Sequence, residues 1–265
     1  MRYALPKKPA SDSLTVFSIM KILGIDIGGS AVKGAPVETA SGRLLGERYK
    51  VETPVSPPPR AMAAAVAEIA AHFRWKGPVG VGFPGVIEGP RILTAANVDK
   101  GFLGCDGIEL FGRTLGLPVS LTNDAAAAAL AEMKFGAGKG FDGKALLLTL
   151  GTGVGSALFF RGVVVPCEFA HMPWKGRDAE KRVAASVKLR KKLSWSKWGG
   201  RLDKYIGILE AMLWPELIII GGGISAESEK FFKYLKPRAR LLPARFLNEA
   251  GIVGAALWAE SERRR

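Results

Sequence analysis

Three glycine turns in this chain have the make-up to hold phosphate. Gly24-Ile25-Asp26-Ile27-Gly28-Gly29-Ser30 follows an apolar run and leads, through Lys33, into a second one. Gly151-Thr152-Gly153-Val154-Gly155 stands in the same relation to Ala145–Leu150, and Gly221-Gly222-Gly223 follows the apolar Leu217–Ile220. Turns without Cβ atoms let backbone N–H groups close on an anion. Asp26 stands where a carboxylate could hold a hydrated cation beside that anion. Such turns also serve as plain hairpins. The 24–30 stretch is neither the lysine-bearing nucleotide loop nor the Gly-x-Gly-x-x-Gly dinucleotide fingerprint.

Each turn needs strands to position it. Lys21–Ile27, Ala31–Thr39 and Arg43–Thr53 read as strands, with Ala40-Ser41-Gly42 turning between the last two. After the proline-rich 54–59, Met62, Val66, Ile69 and Phe73 recur at helical spacing. Residues 78–85 form a short buried strand ending in a loop, and 117–121 form another. Asn123-Asp124 opens an alanine-rich helix over 125–135, where an aspartate is a natural N-cap. Strands follow at 145–150 and around Arg161-Gly162. A mostly helical stretch spans 178–192, and Leu202, Ile206, Leu209 and Leu213 mark a helix stopped by Pro215. Ser225 is expected to cap the next helix, and 250–262 to form the last. The strand–glycine–strand units at 24–34 and 148–158 are similar, and this weak duplication points to an α/β chain of two domains facing a cleft.

The 265 residues carry a net charge of +14. Lys175–Lys204 holds eleven Lys/Arg against three Asp/Glu, and the chain ends Arg263-Arg264-Arg265. Such a block fits a polyanionic partner, and equally a solvated helix face. Cys105 and Cys167 make neither a disulfide framework nor a cysteine-rich zinc site, so a reducing cytoplasm is the default. No apolar stretch is long enough to span a membrane. Residues 1–19 read as a disordered extension.

Taken in order, the motifs resemble the ROK family of sugar kinases, within the actin/hexokinase-like (ribonuclease H-like) superfamily, and its polyphosphate-using branch above all. They are Gly-Ile-Asp-Ile-Gly-Gly-Ser at 24–30, Phe-Pro-Gly-Val at 83–86, Thr-Ala-Ala-Asn-Val-Asp-Lys at 94–100 and Asn123-Asp124. Further along come Leu-Thr-Leu-Gly-Thr-Gly-Val-Gly-Ser at 148–156, Glu-Phe-Ala-His at 168–171, Gly-Gly-Gly at 221–223 and Ala-Gly-Ile-Val-Gly-Ala-Ala at 250–256. The resemblance implies a small N-terminal α/β domain over 20–122, completed by 243–262, a larger domain over 123–242, and a basic tail at 263–265. It implies phosphoryl transfer to the 6-hydroxyl of glucose or mannose from inorganic polyphosphate, ATP or both.

The same resemblance implies residue roles. Asp124 is the catalytic base. Asn97, Asn123, Glu168, His171 and Gly85 surround the sugar. Asp26, Gly28, Gly29, Ser30 and Lys33 form the first phosphate site, Gly151, Thr152 and Gly153 the second, and Gly222 and Gly223 meet the far end of the donor. Mg²⁺ is expected at Asp26 through water, and a homodimer is the expected assembly. Many relatives carry a zinc site of one His and three Cys after Glu-x-x-His. Here His171 is followed by Met-Pro-Trp-Lys and no cysteine, so no zinc is expected. Ala170 stands where the family usually has glycine. Lys188, Arg190, Lys191, Lys192 and Arg201 would form a polyphosphate track. The competing readings are a kinase that uses ATP alone on a hexose or an amino sugar, a basic nucleic-acid-binding protein on a kinase scaffold, and a filament-forming actin relative.

Overall fold

A computed structural model describes residues 20–29, 31–95 and 98–264. The expected extension at 1–19, Ser30 of the first phosphate turn, Asn97 of the sugar site and Arg265 of the basic tail lie outside the described residues.

In chain order the elements are β1 (Lys21–Ile27), β2 (Ala31–Glu38), β3 (Arg43–Leu44), β4 (Tyr49–Glu52), α1 (Pro59–His72), β5 (Val79–Phe83), β6 (Ile87–Glu88), β7 (Arg91–Ile92), α2 (Gly107–Leu115), β8 (Val119–Asn123) and α3 (Asp124–Lys134). Then follow β9 (Ala145–Leu150), β10 (Val154–Phe160), β11 (Val163–Cys167), β12 (Pro173–Trp174), β13 (Arg177–Asp178), α4 (Glu180–Val183), α5 (Ala185–Arg190), α6 (Trp195–Leu213), β14 (Leu217–Gly221), α7 (Ser228–Phe231), β15 (Arg240–Pro243) and α8 (Ala250–Arg263).

The duplication glimpsed in the sequence is a duplication of topology. The first sheet runs β3-β2-β1-β5-β8, with β4 also on β2; the second runs β11-β10-β9-β14-β15. In each, an antiparallel meander feeds two parallel strands: β1 pairs parallel with β5 as β9 does with β14. The glycine turns are the first hairpin of each sheet, β1–β2 and β9–β10. The central parallel strands, Val79–Phe83 and Leu217–Gly221, are buried throughout, as strands covered on both faces must be.

The helices that follow the last strand of each sheet cross over. Helix α3 leaves β8 and packs on β10, while α8 follows β15 and packs on β1, β5 and β8; the two helices lie along each other. Small residues allow this. A Cβ at Gly24 would collide with the Ile252 carbonyl, one at Gly80 with the Ala255 carbonyl, and one at Gly254 with the Ala127 carbonyl. Glu132, fully buried on α3, ties this junction to the end of β15. It accepts hydrogen bonds from Ala137 N (2.8 Å), Arg245 N (2.8 Å) and Phe246 N (2.7 Å). Three donors on one buried carboxylate satisfy a group that would otherwise be costly to desolvate.

Four expectations change. The strand expected over 43–53 is two short strands, because the chain leaves β2 after Leu44 and rejoins it at Tyr49. The basic 178–192 stretch is a hairpin strand and two short helices broken at Ala184. There Trp198 Nε1 donates to the Val183 carbonyl (3.0 Å), and Ser186 N and Oγ turn to the carbonyls of Gly151 (3.0 Å) and Thr152 (2.7 Å). Ser225 caps no helix; its N (3.0 Å) and Oγ (2.8 Å) both bond the Gly222 carbonyl inside a 3-10 turn. Arg263, assigned to a tail, belongs to α8.

Substituting Gly254→Ala should lower stability by about 1–3 kcal/mol, since backbone must move to admit the methyl. Gly200→Ala, on α6 with nothing within 4 Å of the place its methyl would take, should be neutral or slightly stabilising. Urea unfolding midpoints of the two variants check this; equal midpoints would contradict the packing described for α8.

Candidate functional site

The site forms where the ends of both sheets meet. Strand β8 ends at Asn123, and helix α3 begins at Asp124. The cap is Asn123 rather than Asp124: Asn123 Oδ1 accepts from Ala126 N at 3.0 Å, while its Nδ2 donates to the Gly85 carbonyl at 3.0 Å. This buried side chain therefore joins the β8–α3 corner to the loop after β5. An amide has four hydrogen-bonding positions, so these two bonds leave one N–H and one lone pair. Asp124 sits at the first helical position, with Oδ1 accepting from Ala125 N at 2.7 Å.

Asp124 stands in the wall between two cavities. The first, about 220 Å³, reaches Gly28 and Gly29, Gly85, the Gly151–Gly153 turn, Glu168 and His171. The second, about 140 Å³, reaches Asp26, Lys33, Gly222 and Asn248. Asp124, Thr149 and Gly222 border both. The structure thus gathers Asp26, Gly28, Gly29, Lys33, Gly85, Asn123, Asp124, Gly151, Thr152, Gly153, Glu168, His171 and Gly222 around one paired space. Gly223 borders neither cavity and opens the 3-10 turn behind Gly222.

The electrostatics single out the same residue. Burial pushes the Asp124 carboxyl up to about 7, and the neighbouring charges of Asp26 and Glu168 push the same way, against the Ala125 N–H. Burial also raises Asp26, opposed by the Lys33 ammonium. Glu168 is raised by burial, countered by His171 and reinforced by Glu180. Several carboxylates share a small space, so each makes ionisation of the next harder. Such crowding marks a place where positive charge or a proton is meant to arrive.

Asp26 is the candidate cation holder. Among the described residues no hydrogen bond reaches its carboxylate, which faces Lys33 and raises Asp124. A carboxylate with free oxygens beside a glycine turn fits a hydrated hard cation. Among the described residues no cluster of three or more His, Cys, Asp or Glu could hold a metal ion without such help.

Sequence reasoning missed Glu180, which is buried at the start of α4 and borders the first cavity near Glu168. It lies inside the basic block, where a lone Glu reads as a solvated partner for Lys181, and that ion pair is present at 2.7 Å. Asp178, which contacts His171, was also missed. The proposed track residues Lys188, Arg190, Lys191 and Lys192 lie on or just after α5, whose first turn bonds the Gly151–Thr152 carbonyls. Arg190, Lys191 and Lys192 are exposed, whereas Lys188 Nζ rests 3.7 Å over the Trp195 ring. Arg201 is half-buried on α6.

Comparison with known proteins agrees with this fold. A profile of the ROK family matches residues 22–169. The polyphosphate glucokinase of Mycobacterium tuberculosis is 43% identical over 236 residues, 88% of this chain and 89% of that protein. The polyphosphate glucokinase of Mycobacterium leprae is 40% identical over 251 residues, 94% of this chain and 78% of that one. The crystal structure of the inorganic polyphosphate/ATP-glucomannokinase from Arthrobacter sp. strain KM superposes with a TM-score of 0.88 at 43% identity, covering 91% of this chain and 99% of that one. A ROK glucokinase from Streptomyces griseus, solved with glucose and AMPPNP, shares the fold at 24% identity and a TM-score of 0.78. A profile spanning more than half the chain, and relatives this similar over nearly all of it, place the chain in the ROK family.

Proposed function

We propose that this chain makes glucose 6-phosphate from glucose with inorganic polyphosphate as donor. The observation that carries the reading is Asp124, a carboxylate raised to about 7 in the wall shared by the two cavities. The names borne by the Mycobacterium and Arthrobacter relatives support the donor.

Glucose occupies the first cavity, with its anomeric end at Glu168 and His171 and its 6-hydroxyl toward Asp124. The Asp124 carboxylate takes the hydroxyl proton as that oxygen bonds to the terminal phosphorus. The bond to the next phosphate breaks, and its electrons leave with the shortened polyphosphate. The N–H groups of Gly28 and Gly151 close their own turns by donating to the carbonyls of Ala31 (2.9 Å) and Gly153 (3.0 Å), so in this reading those of Gly29, Thr152 and Gly153 meet the charge that builds on the transferring group. A divalent cation at Asp26, Mg²⁺ in this reading, neutralises donor charge when bound. Asn123, Gly85 and Glu180 complete the sugar shell, and closing the cleft keeps water from acting as acceptor.

The exposed Arg190, Lys191 and Lys192 extend away from the second phosphate turn, because α5 starts against it. They form the polyphosphate track of this reading, joined by Lys188 and Arg201. ATP is a second donor in this reading, its far end lying by Gly222 and Asn248 in the second cavity. A homodimer is the assembly proposed, and the exposed Phe160, Val163 and Val165 beside the unpaired edge of β11 offer an apolar face for it. A cytoplasmic setting suits the two unpaired cysteines. No helix of the described residues is long and apolar enough to cross a membrane.

Two outcomes test the reading. Asp124→Asn should cost about 10³-fold or more in hexose 6-phosphate formation, given what a positioned base and its charge contribute, while glucose binding by calorimetry stays within a few-fold. For the wild type, kcat/KM should fall as pH drops through about 7, because the working base must be deprotonated. A flat profile from pH 5 to 8, or an active Asp124→Asn, would remove Asp124 from the role.

The donor track is tested separately. Lys191→Glu with Lys192→Glu should raise KM for long-chain polyphosphate about tenfold and flatten its salt dependence, with KM for glucose unmoved. Unchanged donor kinetics would reduce the basic block to a solvated face.

A further inference from the structure

We propose that Asp178 is a positioning residue for the sugar: its carboxylate accepts the Nδ1–H of His171 and so leaves the other ring nitrogen bare to accept a sugar hydroxyl. This rests on the reading that His171 faces the sugar. Asp178 Oδ2 lies 3.2 Å from His171 Nδ1, and His171 Nε2 lies 3.8 Å from Glu168 Oε2. An ionised carboxylate only accepts, so the shorter contact is a hydrogen bond only when Nδ1 carries the proton. A neutral imidazole holds a single N–H, which leaves Nε2 as a lone pair. The Nε2–Glu168 separation exceeds hydrogen-bond length, so two acceptors stand side by side on the cavity wall, unbonded to each other. Adjacent hydroxyls at the anomeric end of a hexose can donate one hydrogen to each. With the other tautomer, Nε2–H would turn toward Glu168 and the acceptor pair would be lost.

The hairpin that carries Asp178 is built to hold still. Pro173 pairs with Asp178 and Trp174 with Arg177 across a two-residue turn, Lys175-Gly176, in which both residues have positive φ, 51° and 77°. Left-handed residues at both turn positions match the twist of short hairpins. Arg182, on α4, clips the turn from behind. Its Nε donates to the Trp174 carbonyl (3.1 Å) and its Nη2 to the Lys175 carbonyl (3.0 Å), while its guanidinium lies 5.7 Å from the Trp174 ring centroid. Trp174 in turn stacks on Tyr205 of α6, whose ring is fully buried. The position of Asp178 is thus referred to the core of the second sheet, although its own side chain and that of His171 are both nearly half exposed.

The test uses the full chain labelled with ¹⁵N-histidine. Only His72 and His171 are present, so His72→Gln assigns the spectrum. At pH 8 the His171 ring should carry its proton on Nδ1; a proton on Nε2, or on both nitrogens, overturns the proposal. In steady-state assays Asp178→Ala should raise KM for glucose about tenfold, the usual worth of a hydrogen bond to a charged group, with kcat within about twofold. Asp178→Asn, which keeps an acceptor oxygen, should fall between Ala and wild type. A rise in KM for His171→Ala without one for Asp178→Ala overturns the role of Asp178. No rise for His171→Ala overturns the sugar reading on which it rests.

Discussion

The amide of Asn123 holds the site at its corner. Its Oδ1 closes the first turn of α3 and its Nδ2 grips the Gly85 carbonyl, so a parallel strand, a helix and the loop after β5 meet at fixed angles. Asp124 follows by a single residue and has no freedom to wander. An amide can do this and a carboxylate cannot, because the same side chain must accept from one backbone and donate to another. Capping, often described as a matter of helix stability, here sets the place of the carboxylate between the two cavities.

Around that corner the molecule uses negative charge sparingly in number but densely in space. A chain with a formal charge of +14 concentrates Asp26, Asp124, Glu168 and Glu180 about the two cavities. The consequence is that the Asp124 carboxyl, through burial and its neighbours, holds its proton up to about 7. Positive charge gathers elsewhere, with Arg190, Lys191 and Lys192 exposed together at the end of α5, whose start lies against the 151–153 turn. In the proposed function one region meets a neutral sugar and a proton, the other a polyanion.

Much of this was legible in the residues. Strands β1 and β9 fall where apolar runs meet glycine pairs, and their two hairpins do head equivalent sheets. Helix α2 escaped notice although its signals are present: Asp106 caps it by accepting from Glu109 N at 2.8 Å, and Gly116 closes it with φ of 65°. The basic block misled for a physical reason. Ala, Lys and Arg favour helix everywhere, but contacts from Trp198 and the second phosphate turn break the segment at Ala184. Asp178 and Glu180 were illegible because their partners, His171 and the cavity wall, are brought to them by that break and by the hairpin before it. Local propensity carries no record of such tertiary demands.

The crossing of α8 has a consequence for how the chain comes to be folded. Strand β1 lies near the start of the described residues and α8 near their end, yet a carbonyl of α8 sits where a side chain at Gly24 would be. The first sheet is therefore made early and sealed late. During synthesis its apolar underside must wait, without its proper cover, while the 126 residues between Asn123 at the end of β8 and Ala250 at the start of α8 emerge, the slow closure expected of contacts so distant in sequence. The cleft cannot be assembled one half at a time, because the last helix of the chain is also the lid on its first sheet.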